Sequence, residues 1–273
     1  MTSKGLLHLS NSPVLRLVLC SLRDRLALSS SQLQPSEILG VLTQVEADFK
    51  LPHGKHSEFH KKYVPQHSPH PQLKKELMKT LEASFSNVAP VGGRVHVAVD
   101  TRQCANVSCW GAWDLSCFKA ISVTVLSLLH ANMDLTLSYF TEDSLGFIEV
   151  STRDEVGSIM EKLKKASEAS SRGRVSPEKV LRWNGEERQG QGKELVLCIT
   201  ASDILKEEVT QGIWAQMAQA RVNEVEIKFI YWALACKKLE MTVSNENYPN
   251  IIDLWGWSPD STRIIQAFAE DLF

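Results

Sequence analysis

Residues 95–100 read Val95-His96-Val97-Ala98-Val99-Asp100, and this stretch decides the fold. It is a short, mainly apolar strand that ends on a carboxylate. A polar loop, Thr101-Arg102-Gln103-Cys104, leaves it, and an apolar helical run from Phe118 to Leu129 follows. Further along, Leu195 to Ile199 is continuously apolar, the pattern of a strand covered on both faces. The two strands are expected side by side in the centre of one sheet. Between and after them the chain alternates strand and helix patterns. Leu135–Phe140 and Phe147–Val150 read as strands of a hairpin around Glu142-Asp143-Ser144, and Val156–Ala166 as a helix. Ile204–Val222 is helical, Glu226–Ala235 starts as a strand, and Asn250–Leu254 is short and extended. Ser258 is an expected N-cap with Pro259 at the first helical position, and Ile264, Ile265, Phe268 and Leu272 form the apolar face of a last helix. This alternation predicts an α/β domain over residues 94–273, with a doubly wound, mainly parallel sheet of Rossmann type. Ligands on such sheets bind beyond the carboxyl ends of the strands. The loops after Val99, Ala166 and Ile199 are therefore the places to search.

Residues 1–93 have another character and predict a small all-helical segment. Val14–Leu28 is apolar with interspersed arginines. Pro35 opens a run with Ile38, Leu39, Leu42, Val45 and Phe49 at helical spacing. Pro52, Gly54, Pro65, Pro69 and Pro71 mark residues 51–71 as a Pro/His-rich linker, because proline removes donors and blocks helix. Leu73, Leu77, Leu81 and Phe85 then form one helical stripe, closed by Pro90-Val91-Gly92-Gly93.

Charge divides along the same boundary. Residues 1–93 hold 11 Lys/Arg and 7 Asp/Glu, a net of +4, and residues 94–273 hold 19 and 25, a net of −6. The whole chain carries −2, which excludes nucleic-acid binding by bulk charge and leaves room for a local basic patch. Lys55, Lys61, Lys62, Lys74 and Lys75 are the candidates for such a patch, set against the common case of a solvated charged face. The longest apolar run is about half the ~20 residues that a membrane span needs, so no membrane contact is expected. His8, Asn11, Pro13 and Arg16 interrupt the apolar N-terminus and make it a poor signal peptide. Six sparse cysteines, several within apolar runs, fit a reducing, cytoplasmic setting, which would make the sequon Asn106-Val107-Ser108 accidental.

Enzyme templates fail one after another. Gly92-Gly93 precedes the first strand instead of following it, so there is no dinucleotide fingerprint. The sequence holds no phosphate-binding P-loop, no Gly-x-Ser-x-Gly elbow and no His-Glu-x-x-His pair. His53, His56 and His60 lie in a Pro/Gly-broken polar stretch, and Cys104-x4-Cys109-x7-Cys117 misses zinc spacing. No cofactor, metal or catalytic residue is expected.

A strand ending in Asp, then a polar loop and an apolar helix, resembles the opening of a von Willebrand A domain. That family holds a hard cation there with Asp-x-Ser-x-Ser, a Thr from a second loop and an Asp from a third. Oxygen ligands of that kind suit Mg²⁺. This chain keeps Asp100 but has Arg102 and Cys104 at the Ser positions. Arg174 stands at the Thr position, and Ala201 at the Asp position with Asp203 two residues on. The resemblance therefore implies a degenerate metal motif whose loops receive an anion or a partner instead. The run from Pro71 to Asp100 resembles the junction between the helical TROVE ring and the A domain of the Ro autoantigen family. The run Ile251-Ile252-Asp253-Leu254-Trp255-Gly256-Trp257 resembles that family's C-terminal end. Residues 1–93 would then be the last ring helices. The family binds small non-coding and misfolded RNAs, so the resemblance implies a ribonucleoprotein component with a small structured RNA as partner. The alternative is a metal-independent von Willebrand A-like module that docks a protein over the loops after the sheet strands.

Overall fold

The computed structural model describes residues 12–24, 27, 30–47, 71–131, 134–141, 144–170, 175–187 and 193–272. It separates into two compact units, 1–88 and 89–273. The break falls five residues ahead of the boundary expected at 93/94, because residues 89–92 are tied into the second unit. Gln266 Nε2 donates to the Ala89 carbonyl (2.9 Å), Gly92 N–H donates to Glu270 Oε1 (2.8 Å), and Val91 is buried.

In the first unit, α1 (Pro13–Arg23), α2 (Pro35–Ala47) and α3 (Pro71–Ser84) each begin on proline. Proline at a first helical position gives up an N–H that would have no partner there. Ser12 caps α1, and Glu37 accepts the Gln34 N–H at 2.7 Å ahead of α2. The apolar stripes are buried as their spacing requires: Leu15 and Leu19, then Ile38, Leu39, Leu42 and Val45, then Leu73, Leu77, Leu81 and Phe85. Two expectations change. α1 stops at Arg23, with Asp24 as its C-cap, instead of running to Leu28, and Pro71 opens α3 instead of closing the linker. The rest of the linker lies outside the described residues.

The second unit is the expected α/β domain. In chain order its elements are β1 (Arg94–Val99), α4 (Thr101–Cys104), β2 (Ser108–Cys109), β3 (Ala112–Ser116), α5 (Cys117–Ala131), β4 (Leu135–Phe140) and β5 (Leu145–Ile148). Then follow α6 (Val156–Ala169), α7 (Pro177–Glu187), β6 (Glu194–Thr200), α8 (Glu207–Val222), β7 (Ile227–Ala233), β8 (Ile251–Trp255) and α9 (Ser261–Ala269). The main sheet runs β5-β4-β1-β6-β7-β8, parallel except for β5. β1 and β6 are central neighbours, Val95 opposite Leu195 and Val99 opposite Ile199. Every residue of β6 and β7 is buried. Ala98, Val196, Cys198, Phe229 and Tyr231 pack with Val180, Leu181, Ile213 and Met217 of α7 and α8 on one face. α5 and α6 pack on one another and take no part in that cluster; they belong to the other face. The chain passes from β1 outward to β4, then crosses back to β6 on the other side of β1. That reversal makes the carboxyl ends of β1 and β6 the topological switch point.

Several boundaries shift for local reasons. β5 covers Leu145–Ile148, earlier than expected, because it pairs antiparallel with β4 through Phe140 and Leu145. α8 starts at Glu207 and not at Ile204, whose N–H donates to the Tyr231 hydroxyl at 3.0 Å. α9 starts at Ser261, after a turn in which Ser261 N–H donates to the Ser258 carbonyl and Asp260 N–H to Ser258 Oγ. Ser258 is therefore a turn residue ahead of the cap. Leu272 lies past the helix and is exposed, so it is not part of the apolar face. The hairpin β2–β3 and the helix α7 are elements that the patterning did not announce.

Candidate functional site

Asp100 N–H donates to the Ile199 carbonyl at 2.8 Å, which places the carboxylate at the switch point. The residue is 2% exposed. One carboxylate oxygen caps α4 by accepting the Gln103 N–H at 3.1 Å, while the other, Oδ2, has no hydrogen-bond partner. Burial pushes the Asp100 carboxyl above the usual range, against the pull of the Gln103 amide and the Arg102 charge. Around it the side chains bond to one another. Thr101 Oγ1 and Ser170 Oγ are 3.1 Å apart, and Ser170 Oγ donates to the Phe140 carbonyl at 3.1 Å. Ser202 Oγ donates to Gln103 Oε1.

Below this loop lie three buried thiols. Cys109 Sγ and Cys117 Sγ are 3.9 Å apart, and Cys104 also donates to Cys117. Two donated S–H bonds hold the Cys117 thiol well below its ordinary value, and they raise the two donors in exchange. Cys117 is also the first residue of α5, where the helix dipole favours a negative sulfur.

The residues do not fit the cation that the von Willebrand A pattern implies. Cys104 is turned into the thiol cluster, and Arg102 is exposed. Ala201 offers a buried methyl. Both oxygens of Asp203 are engaged, accepting the N–H groups of Leu205 (3.0 Å) and Glu240 (2.7 Å). One orphan oxygen beside neutral hydroxyls is a poor set for Mg²⁺, which demands near-octahedral oxygen ligation. Asp203 is also not a free acceptor for either arginine. Arg174 lies outside the described residues, as do Lys55, Lys61 and Lys62 and the histidines of the linker. Lys74 and Lys75 are exposed on α3, and Lys74 pairs with Glu46 at 2.8 Å.

No family model and no curated protein matches this sequence. Among solved structures, the RO (RSR) protein of Deinococcus radiodurans superposes on the whole chain with a TM-score of 0.74 at 17% identity. This chain has the fold of one half of a Ro protein. It covers 52% of that protein's length. An aerotolerance-related membrane protein from Bacteroides fragilis matches 66% of this chain and all of its own at 9% identity, with a TM-score of 0.45. Among the described residues no helix is long and apolar enough to cross a membrane.

What the sequence reading missed lies at the same sheet edge, beyond β7 and β8. There the turn of the β2–β3 hairpin brings Trp110 against the segment Trp255-Gly256-Trp257, with Trp113 packed on Trp110. The two pairs lie 142 positions apart in the chain, from Trp113 to Trp255, and no periodic pattern joins them. The sequence signals are tryptophan abundance, seven in 273 residues, and the run that ends Trp255-Gly256-Trp257, neither of which points to Trp110 and Trp113.

Proposed function

We propose that this chain is a non-catalytic, Ro-like RNA-binding component whose partner is a small structured or misfolded RNA. The observation that supports this reading is the Ro fold over the full chain. The order of the junction and tail motifs in the sequence agrees with it. The basic first part supplies most of the affinity in this proposal. Lys75 has no ion-pair partner among the described residues, and Lys74 exchanges its exposed bond to Glu46 for a phosphate at little cost.

Filter binding of a small RNA hairpin, at about 50 and 200 mM salt, tests the proposal. Each phosphate contact contributes about 0.7 to 0.9 to the slope of log affinity against log salt. Changing Lys61, Lys62, Lys74 and Lys75 together to Glu is expected to weaken binding across unrelated RNAs and to flatten the slope. Equal binding by that variant would remove the basic patch. No binding by the unaltered chain at low salt would replace the RNA reading with that of a protein-docking module.

A further inference from the structure

Trp110, Trp255 and Trp257 line an open pocket of ~190 Å³ at the carboxyl ends of β7 and β8, and Trp113 joins them through its ring contact with Trp110. Trp113 is 65% exposed and Trp255 53%. Single exposed apolar residues are ordinary on a protein surface, but indoles clustered around one pocket are a contiguous apolar patch. The patch is also rigid. Trp110 N–H donates to the Leu234 carbonyl and Trp257 N–H to the Trp110 carbonyl, both at 2.8 Å. Gly256 N–H donates to Ala233 O at 2.9 Å, and buried Trp232 donates its indole N–H to Gly256 O at 2.7 Å. Gly111 turns the hairpin at φ +87°, where a Cβ would stand 2.8 Å from the Trp257 carbonyl. Trp110 and Trp113 meet edge to face with ring centroids 4.6 Å apart. The backbone that carries the indoles is therefore fixed before any ligand arrives, which lowers the ordering cost of binding.

Charge narrows the occupant. Exposed Lys237 places its ammonium 5.9 Å from the Trp110 ring centroid. It already supplies the cation that these rings would otherwise attract from a ligand. Among the described residues no carboxylate pairs with that ammonium, and Trp113 and Trp255 stay exposed beside it. A ligand with a flat ring and an anion answers both, and an unpaired nucleotide has that chemistry: the base stacks on indole and the phosphate meets Lys237. We propose that this tryptophan cluster is a stacking platform for unpaired nucleotides of single-stranded RNA. It rests on the RNA-binding reading above and adds a site that the basic helical part does not contain.

The test uses the full chain, a ten-nucleotide oligouridylate that cannot fold, and separately an RNA hairpin. The oligonucleotide should quench the tryptophan fluorescence. One stacked base is worth about 1–3 kcal/mol, so Trp113→Ala and Trp255→Ala should each weaken oligonucleotide binding about 5- to 140-fold. Trp113→Phe should recover part of the loss, and Lys237→Gln should lower the salt slope by about 0.7. Both tryptophans are exposed, and thermal melts of the variants should match the parent. Unchanged oligonucleotide affinity in both Ala variants would overturn the platform, while intact hairpin binding would leave the Ro-like reading standing. Failure of the unaltered chain to bind either RNA would overturn both. Quenching by a proline-rich apolar peptide and not by the oligonucleotide would assign the face to a protein.

Discussion

At the carboxyl ends of β1 and β6 the side chains engage one another, whereas at the carboxyl ends of β7 and β8 they face water. The first region bonds Asp100 to Gln103, Gln103 to Ser202 and Thr101 to Ser170 above three buried thiols, with Asp100 Oδ2 left unpaired. The second presents Trp113 and Trp255 on a frame of backbone hydrogen bonds. Both lie on the edge where α/β sheets bind ligands. Topology alone favours the first, since the strand order reverses there. Chemistry favours the second, because a group already bonded within the protein must break that bond to hold a ligand. The β2–β3 hairpin joins the two, with Cys109 in the thiol cluster and Trp110 in the tryptophan cluster.

The largest break in this comparison should come from Leu115→Ala. Leu115 is the fully buried residue of β3 and anchors the hairpin that serves both regions. The cavity should cost about 2–5 kcal/mol in urea unfolding. A loss below about 1 kcal/mol would mean that the hairpin is not fixed by the core.

Gly111→Ala should act at the open region alone. Forcing a Cβ into a left-handed turn costs about 1–2 kcal/mol, and here it also meets the Trp257 carbonyl. Trp110 and Trp113 should swing away, and acrylamide quenching of the indoles should rise. Quenching identical to the parent would show that the hairpin does not need this turn.

Asp100→Asn sharpens the closed region, with a smaller effect and the opposite sign. Burial raises the folded carboxyl above its ordinary value of 3.8, so the folded state binds more protons than the unfolded one in the window just above that value. Stability from this group is present below 3.8, is lost as pH rises through the folded value, and stays lost at neutrality. Asn keeps an oxygen for the Gln103 amide and removes the charge. The variant should be more stable than the parent at pH 7 and should lose less stability across that window. A less stable variant at pH 7 would mean that the charge has a partner. Smallest of all, Arg102→Ala should change stability by no more than about 0.5 kcal/mol, as expected of an exposed side chain, in the same urea assay.

The central sheet was legible because β1, β6 and β7 are short, mainly apolar runs: Arg94 and Glu194 stand at the first positions of β1 and β6 and pair at 3.4 Å, and β7 carries Lys228. That lysine is buried and satisfied, its Nζ donating to the Phe268 and Ala269 carbonyls (2.8 Å each) and to Asp271 at the end of α9. Helix α7 was illegible because Glu178, Lys179 and Arg182 surround the buried Val180 and Leu181. The β2–β3 hairpin was illegible because its strands have two and five residues, too few to show alternation. At the candidate site, Asp100 was read from the end of a strand, and its loss of metal partners was read from Arg102, Cys104 and Ala201. The tryptophan cluster could not be read, because tertiary contacts between Trp110 and Trp257 leave no local pattern. The turn at Gly111 and the strand end at Trp255 bring them together only after the sheet has formed.

Ultraviolet crosslinking of a bound RNA to the full chain, with the adducts mapped by peptide mass spectrometry, tests most directly which region of the sheet edge receives ligand. Adducts are expected on the peptides that carry Trp113, Trp255 and Lys237, together with the basic first part, and none on Arg102 or the Ser202-Asp203 loop. Adducts confined to those two loops, with the tryptophan peptides unmodified, would contradict that expectation.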